Sequence, residues 1–214
     1  MKCFKWPPTK DEAVALIPRD HPNVVRVVGQ ILEHGRAGQA CFRRGRFIEA
    51  KFHRDCCALL IWRLAVDGIT ADGQVRWDSA KYETRLPGRL SSEEARSIRE
   101  SLAFADRAQS ALENHVACDH IVPRKCVAET LVRPHWWDPD DLESGRDFVI
   151  THAEVAIISP FEDKRLDDAK LRSKMPTDWW NASLKDKAAL RFSRYRSDGV
   201  NIVVTATGED QAHS

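Results

Sequence analysis

The chain has 214 residues, 43% of them hydrophobic and 30% charged, which suits one ordinary domain with additions or two small ones around a real core. Its 33 Lys and Arg nearly cancel 32 Asp and Glu, so bulk charge does not announce a nucleic-acid binder, and a polyanion would bind only if positive residues were sorted onto one face. No apolar run approaches the roughly 20 residues needed to cross a bilayer.

The start, Met1-Lys2-Cys3-Phe4-Lys5-Trp6-Pro7-Pro8, lacks the long apolar core of a signal peptide, and this predicts a cytoplasmic protein. The six cysteines include no CxxC pair, so reduced thiols are expected rather than a disulfide framework. A short helix is predicted from Asp11 to Ile17, stopped by Pro18. Apolar residues Val24, Val27, Val28, Ile31 and Leu32 predict an amphipathic helix over Asn23 to His34, closed by Gly35. Gly38 to Arg46 reads as a basic turn, and Phe47 to Val66 as a second, more apolar helix. On that helix His53, Cys56 and Cys57 lie close enough in spacing to ligate a metal, although buried cysteines beside a polar histidine explain them more simply.

Ile69 to Trp77, with Asp72-Gly73 at its centre, predicts a β-hairpin. Ser91 and Glu94 form a capping-box signature that opens a long helix to about Glu113. Val116 and the Ile121-Val122 pair then bound a strand carrying Asp119 and His120, stopped by Pro123. Some thirty residues of predicted loop follow, holding Trp136-Trp137 and Asp138-Pro139-Asp140-Asp141. Glu154 to Ser159 is a second strand candidate. Ser159 as N-cap, Pro160 at the first helical position, and Glu162 and Asp163 in the first turn open a helix toward Leu171. Met175-Pro176 ends that period, Trp179 and Trp180 anchor a turn, and Lys185 to Arg196 reads as a basic helix. Val200 to Thr205 is a last strand candidate, and Gly208 to Ser214 a frayed tail.

Asp119-His120-Ile121-Val122-Pro123, followed by the strand and the Pro160 helix, resembles the HNH, or ββα-metal, nuclease motif over Val116 to Trp180. The resemblance implies a metal-dependent endonuclease or nickase that hydrolyses DNA phosphodiesters, RNA not being excluded. It implies that Asp119 and Asp163, or Glu162 if the register slips by one, hold one Mg²⁺ or Mn²⁺, and that His120 deprotonates the attacking water. Arg124, Lys125, Lys164 and Arg165 would bind flanking phosphates. Cys118 and Cys126 with His115 or His135 are a less favoured structural Zn²⁺ set.

The expected fold is α+β: a mostly helical region over residues 1–113, carrying one hairpin, packed on an HNH-like ββα-metal region over 114–214 with a C-terminal basic helix. Two rivals remain open. One is a nucleic-acid-binding protein with a degenerate nuclease site. The other is an interaction domain using Trp136, Trp137, Trp179 and Trp180.

Overall fold

The computed structural model describes residues 22–66, 90–101 and 116–206. The expected helix at Asp11 to Ile17, the hairpin at Ile69 to Trp77, the later part of the helix toward Glu113 and the tail lie outside these residues.

Two long helices come first, α1 (Pro22–Arg43) and α2 (Phe47–Val66). Gly35 was expected to close α1, yet the helix runs through it. A Cβ on Gly35 would sit 3.0 Å from the Trp137 ring, and one on Gly38 would sit 2.7 Å from Val132 Cγ1. These glycines therefore clear space for neighbouring chain, and that packing offsets their poor helix propensity. The chain turns instead at Gly45, whose φ of +70° suits glycine. α2 matches its expected bounds.

β1 (Leu90–Ser92) precedes α3 (Glu93–Ser101). The cap is Ser92 rather than Ser91: the Ala95 backbone N–H donates to Ser92 Oγ at 3.1 Å. β2 (Ala117–His120) follows, with α4 (Arg124–Val132), α5 (Leu142–His152), β3 (Val155–Ile158) and α6 (Pro160–Asp168). The stretch between Pro123 and Glu154 was expected to be loop. It contains two helices, because Cys126, Val127, Leu131 and Val132 supply one apolar face and Phe148, Val149 and His152 another.

The expected basic helix over Lys185–Arg196 is also corrected. After the short α7 (Thr177–Asn181), that segment holds one 3₁₀ turn, Asp186–Ala188, among further turns, before β4 (Val204–Ala206). The segment does not present all its cations on one exposed face: Lys187 and Arg194 are fully buried, while Lys185 and Arg196 are exposed.

The sheet order is β2-β3-β1-β4. β2 and β3 are antiparallel with Asp119 opposite Ala156 and His120 opposite Val155; β1 is parallel to β3 and antiparallel to β4. The architecture is thus α+β with a small mixed sheet, whose strands come from both sides of residue 113.

The two larger hydrophobic clusters among the described residues organise it, beside a small one of Ala95, Val116 and Ile157. One joins α1, α2, α4, α5 and α7 through Val28, Ile31, Ile61, Leu131, Phe148 and Trp179. The other joins the sheet, α6 and the turns before β4 through Ile158, Leu166, Tyr195 and Val200. Ile121 belongs to the second core and its neighbour Val122 to the first, so the chain leaving β2 lies where the two meet. Among the described residues no helix is long and apolar enough to cross a membrane.

Candidate functional site

β2 and α6 place the predicted residues. Asp119 and His120 end β2, and α6 packs against that strand. The start of α6 is fixed by a complete capping box: the Glu162 N–H donates to Ser159 Oγ at 3.1 Å, and the Ser159 N–H donates to Glu162 Oε2 at 2.7 Å. Ser92 Oγ donates to the same oxygen at 2.5 Å, and Arg165 lies 3.7 Å from Oε1. Glu162 is therefore buried and held by the cap.

Of the two ligand candidates on this helix, Asp163 is the one whose charge reaches Asp119. Its carboxylate adds to burial, the larger cause, in raising the Asp119 pKa, while Arg194 and Tyr195 oppose the rise. Asp163 also accepts from Arg172 at 3.1 Å, and the Arg172 side chain is 57% exposed.

Asp119 is held by residues that sequence reasoning did not assign to the site. The Arg194 guanidinium contacts Asp119 Oδ2, and the Tyr195 hydroxyl donates to the same oxygen at 2.6 Å. Arg194 also donates to the carbonyls of His120, Ile121, Leu171 and Arg172, so one buried side chain ties the end of β2 to the chain after α6. Both side-chain contacts of Asp119 among the described residues fall on Oδ2. No spacing in the sequence marks Arg194 and Tyr195, because their partner is 75 or 76 residues earlier.

His120 stands differently. Both ring nitrogens are shielded from water, and neither has a hydrogen-bond partner among the described residues. Burial first, then the positive charges of Arg124 and Arg194, push its pKa down to about 3, so the ring is neutral at pH 7. Strand alternation sends the two side chains to opposite faces. Ala117 and Ile121 flank Asp119 at a spacing of two and pack with the sheet core, whereas Val122, two residues beyond His120, packs with the helical core.

The proposed phosphate binders separate in the same way. The charge of Arg124 is felt by His120, and its guanidinium lies 5.6 Å from the Trp62 ring centroid. Lys125 is exposed one residue further on. Lys164 pairs with Asp168 at 2.8 Å on the exposed side of α6, and Arg165 donates to the Val200 carbonyl at 2.8 Å. Arg124 is thus brought to the site, while Lys164 and Arg165 are engaged elsewhere.

Among the described residues no group of three or more His, Cys, Asp or Glu converges as a metal site, and His115 of the less favoured zinc set lies outside them. Cys126 is buried and contacts the Ser173 carbonyl at 3.7 Å, and His135 stacks on Trp136 with centroids 4.4 Å apart. Cys57 is buried, with its thiol pushed up to about 12 by burial. The Asp163 carboxylate adds, after burial, to the rise in the Asp119 pKa, and two carboxylates with such an influence are the oxygen chemistry a hard cation takes. Compared with family models, characterised proteins and solved structures, the chain matches none.

Proposed function

We propose that the chain is an HNH-like, metal-dependent nuclease acting on DNA. The observation that carries this reading is that the charge of Asp163, at the start of α6, acts on Asp119, with the His120 ring, unpartnered among the described residues, adjacent in β2. Asp119, through Oδ1, and Asp163 would hold one Mg²⁺ or Mn²⁺, which when bound offsets charge on the phosphate undergoing attack.

His120 is kept neutral, and a ring nitrogen that has no competing donor would accept the proton of an attacking water once substrate binding admits water to the ring, which is shielded in the free protein. Its depressed pKa makes it a weak base in the free protein. Burial is the larger cause of that depression; a phosphate diester brought to Arg124 would offset the lesser part that Arg124 and Arg194 contribute. Arg194 and Tyr195 fix the carboxylate of Asp119.

Two observations favour a second reading, in which nucleic acid is bound and not cut: the buried Arg194–Asp119 pair and the opposed directions of Asp119 and His120. Incubation of supercoiled plasmid with protein and Mg²⁺ separates the two. The nuclease reading expects nicking that EDTA abolishes and His120→Ala reduces at least 100-fold, the lower end of general-base contributions being about 10². Equal nicking by wild type and His120→Ala would remove this site from the activity. A salt-dependent gel shift without nicking would establish the second reading.

A further inference from the structure

We propose that His34 and His53 form a chelating site for a borderline transition-metal ion, Zn²⁺ or Ni²⁺, independent of the carboxylate site. His34 lies on α1 and His53 on α2, and their Nδ1 atoms face each other at 3.1 Å with ring centroids 5.4 Å apart. Two imidazole nitrogens bound to tetrahedral zinc at 2.0–2.1 Å stand about 3.3 Å apart, so the pair already has nearly the required bite.

The approach depends on Gly38, one turn after His34. A Cβ at that position would lie 3.2 Å from His53 Cβ, so the absence of a side chain lets the second helix bring its histidine to the first. Both rings are half-buried, which limits their rotamers while leaving an open side for water. The His53 pKa is lowered by burial and by the neighbouring His34, which favours the neutral form that a metal requires.

In the apo state one ring donates to the other across the Nδ1–Nδ1 contact. An ion seated beside the line joining the two nitrogens, with both rings turned slightly toward it, would replace that hydrogen bond and take both lone pairs. The protein supplies two ligands and water the rest, consistent with the lack of any larger His, Cys, Asp or Glu group among the described residues. Such a site is open and exchangeable, in contrast to a closed four-ligand structural zinc site.

Calorimetric titration of the full chain with ZnCl₂ and NiCl₂ tests the assignment, beside His34→Gln, His53→Gln and, at the exposed Glu143 of α5, Glu143→Gln. The expected result is a binding event of one ion per chain, separate from any ion taken by the carboxylate site, whose affinity weakens more than tenfold in either histidine variant and is unchanged in Glu143→Gln. Long-range ¹H–¹⁵N spectra of the wild-type histidine rings provide a readout that needs no variant: Nδ1 signals of His34 and His53 shift together on addition of Zn²⁺. Absence of binding at 100-fold excess metal, retained affinity in both histidine variants, or Nδ1 signals that do not move would each overturn it.

Discussion

Replacing Arg194 with methionine removes a guanidinium that is fully buried and that serves the Asp119 carboxylate and the carbonyls of His120, Ile121, Leu171 and Arg172. Deleting one partner of a buried ion pair costs roughly 3–5 kcal/mol, because the other charge stays in a poorly solvating place. Carbonyls left without donors add about 1–3 kcal/mol each where water cannot enter. Tyr195 still donates to Asp119, which offsets part of the loss, so about 3 kcal/mol is the lower figure. With a urea m-value of about 2 kcal/mol/M, the unfolding midpoint should fall by about 1.5 M. Tryptophan fluorescence against urea at pH 7 measures this. The comparison is Lys164→Met, whose pair with Asp168 is 69% and 66% exposed and should shift the midpoint by under about 0.5 M. If Arg194→Met stayed within that smaller range, Arg194 would not be the tie between β2 and the chain after α6.

Three further outcomes follow from buried groups and close packing. His120 and His152 have folded-state pKa values near 3 and near 4, both lowered first by burial, so below about pH 6.5 the unfolded chain binds more protons. Stability should fall as pH drops from 6.5, by at most about 1.4 kcal/mol per pH unit per histidine, and His120→Gln should flatten the profile in urea titrations at pH 5 and 7. Burial lowers the Lys187 pKa to about 8, while its Nζ donates to the Trp179 carbonyl at 2.5 Å. Between about pH 8 and pH 10.5 the unfolded chain therefore holds the extra proton, stability should rise with pH, and Lys187→Met should remove that rise in the same measurement. Gly145→Ala would place a Cβ 2.7 Å from Trp137 Nε1 and 2.9 Å from Leu32, and overpacking of this kind costs about 1–3 kcal/mol, read as a lowered Tm.

The parts of the fold legible in the sequence are those whose signals are local. Ser159, Pro160 and Glu162 announce α6 because N-capping involves only residues within one turn. α2 is legible at its full length because its apolar residues recur without a breaker. α1 was cut short at Gly35, since the reason for a glycine there is the ring of Trp137, about a hundred positions away. α5 was hidden by Gly145 for the same reason, its missing Cβ making room for that tryptophan. The C-terminal basic segment misled most, because Lys and Arg are ordinarily solvated. Here Lys187 lies 4.3 Å from the centre of the Trp179 ring and Arg194 beneath β2, both satisfied by carbonyls. At the site, the spacing of Asp119, His120 and Asp163 was legible as a possibility, but Arg194, Tyr195 and Arg172 were not, since their roles exist only after folding.

The Arg194–Asp119 contact does not by itself choose between a structural pair and a cation site, because the two use different oxygens. Oδ2 takes Arg194 and Tyr195, and Oδ1 would take the cation. What matters is the energy needed to admit a cation. Evicting Arg194 would strand a fully buried guanidinium and four carbonyl acceptors, a change of several kcal/mol. Arg172, beside Asp163, is more than half exposed, and freeing such a surface pair costs about 0–1 kcal/mol. On the proposed reading a cation would therefore enter on the Asp163 side, displacing Arg172 while Arg194 keeps Asp119 in place. It would also offset the charge of Asp163 that adds, after burial, to the raised Asp119 pKa.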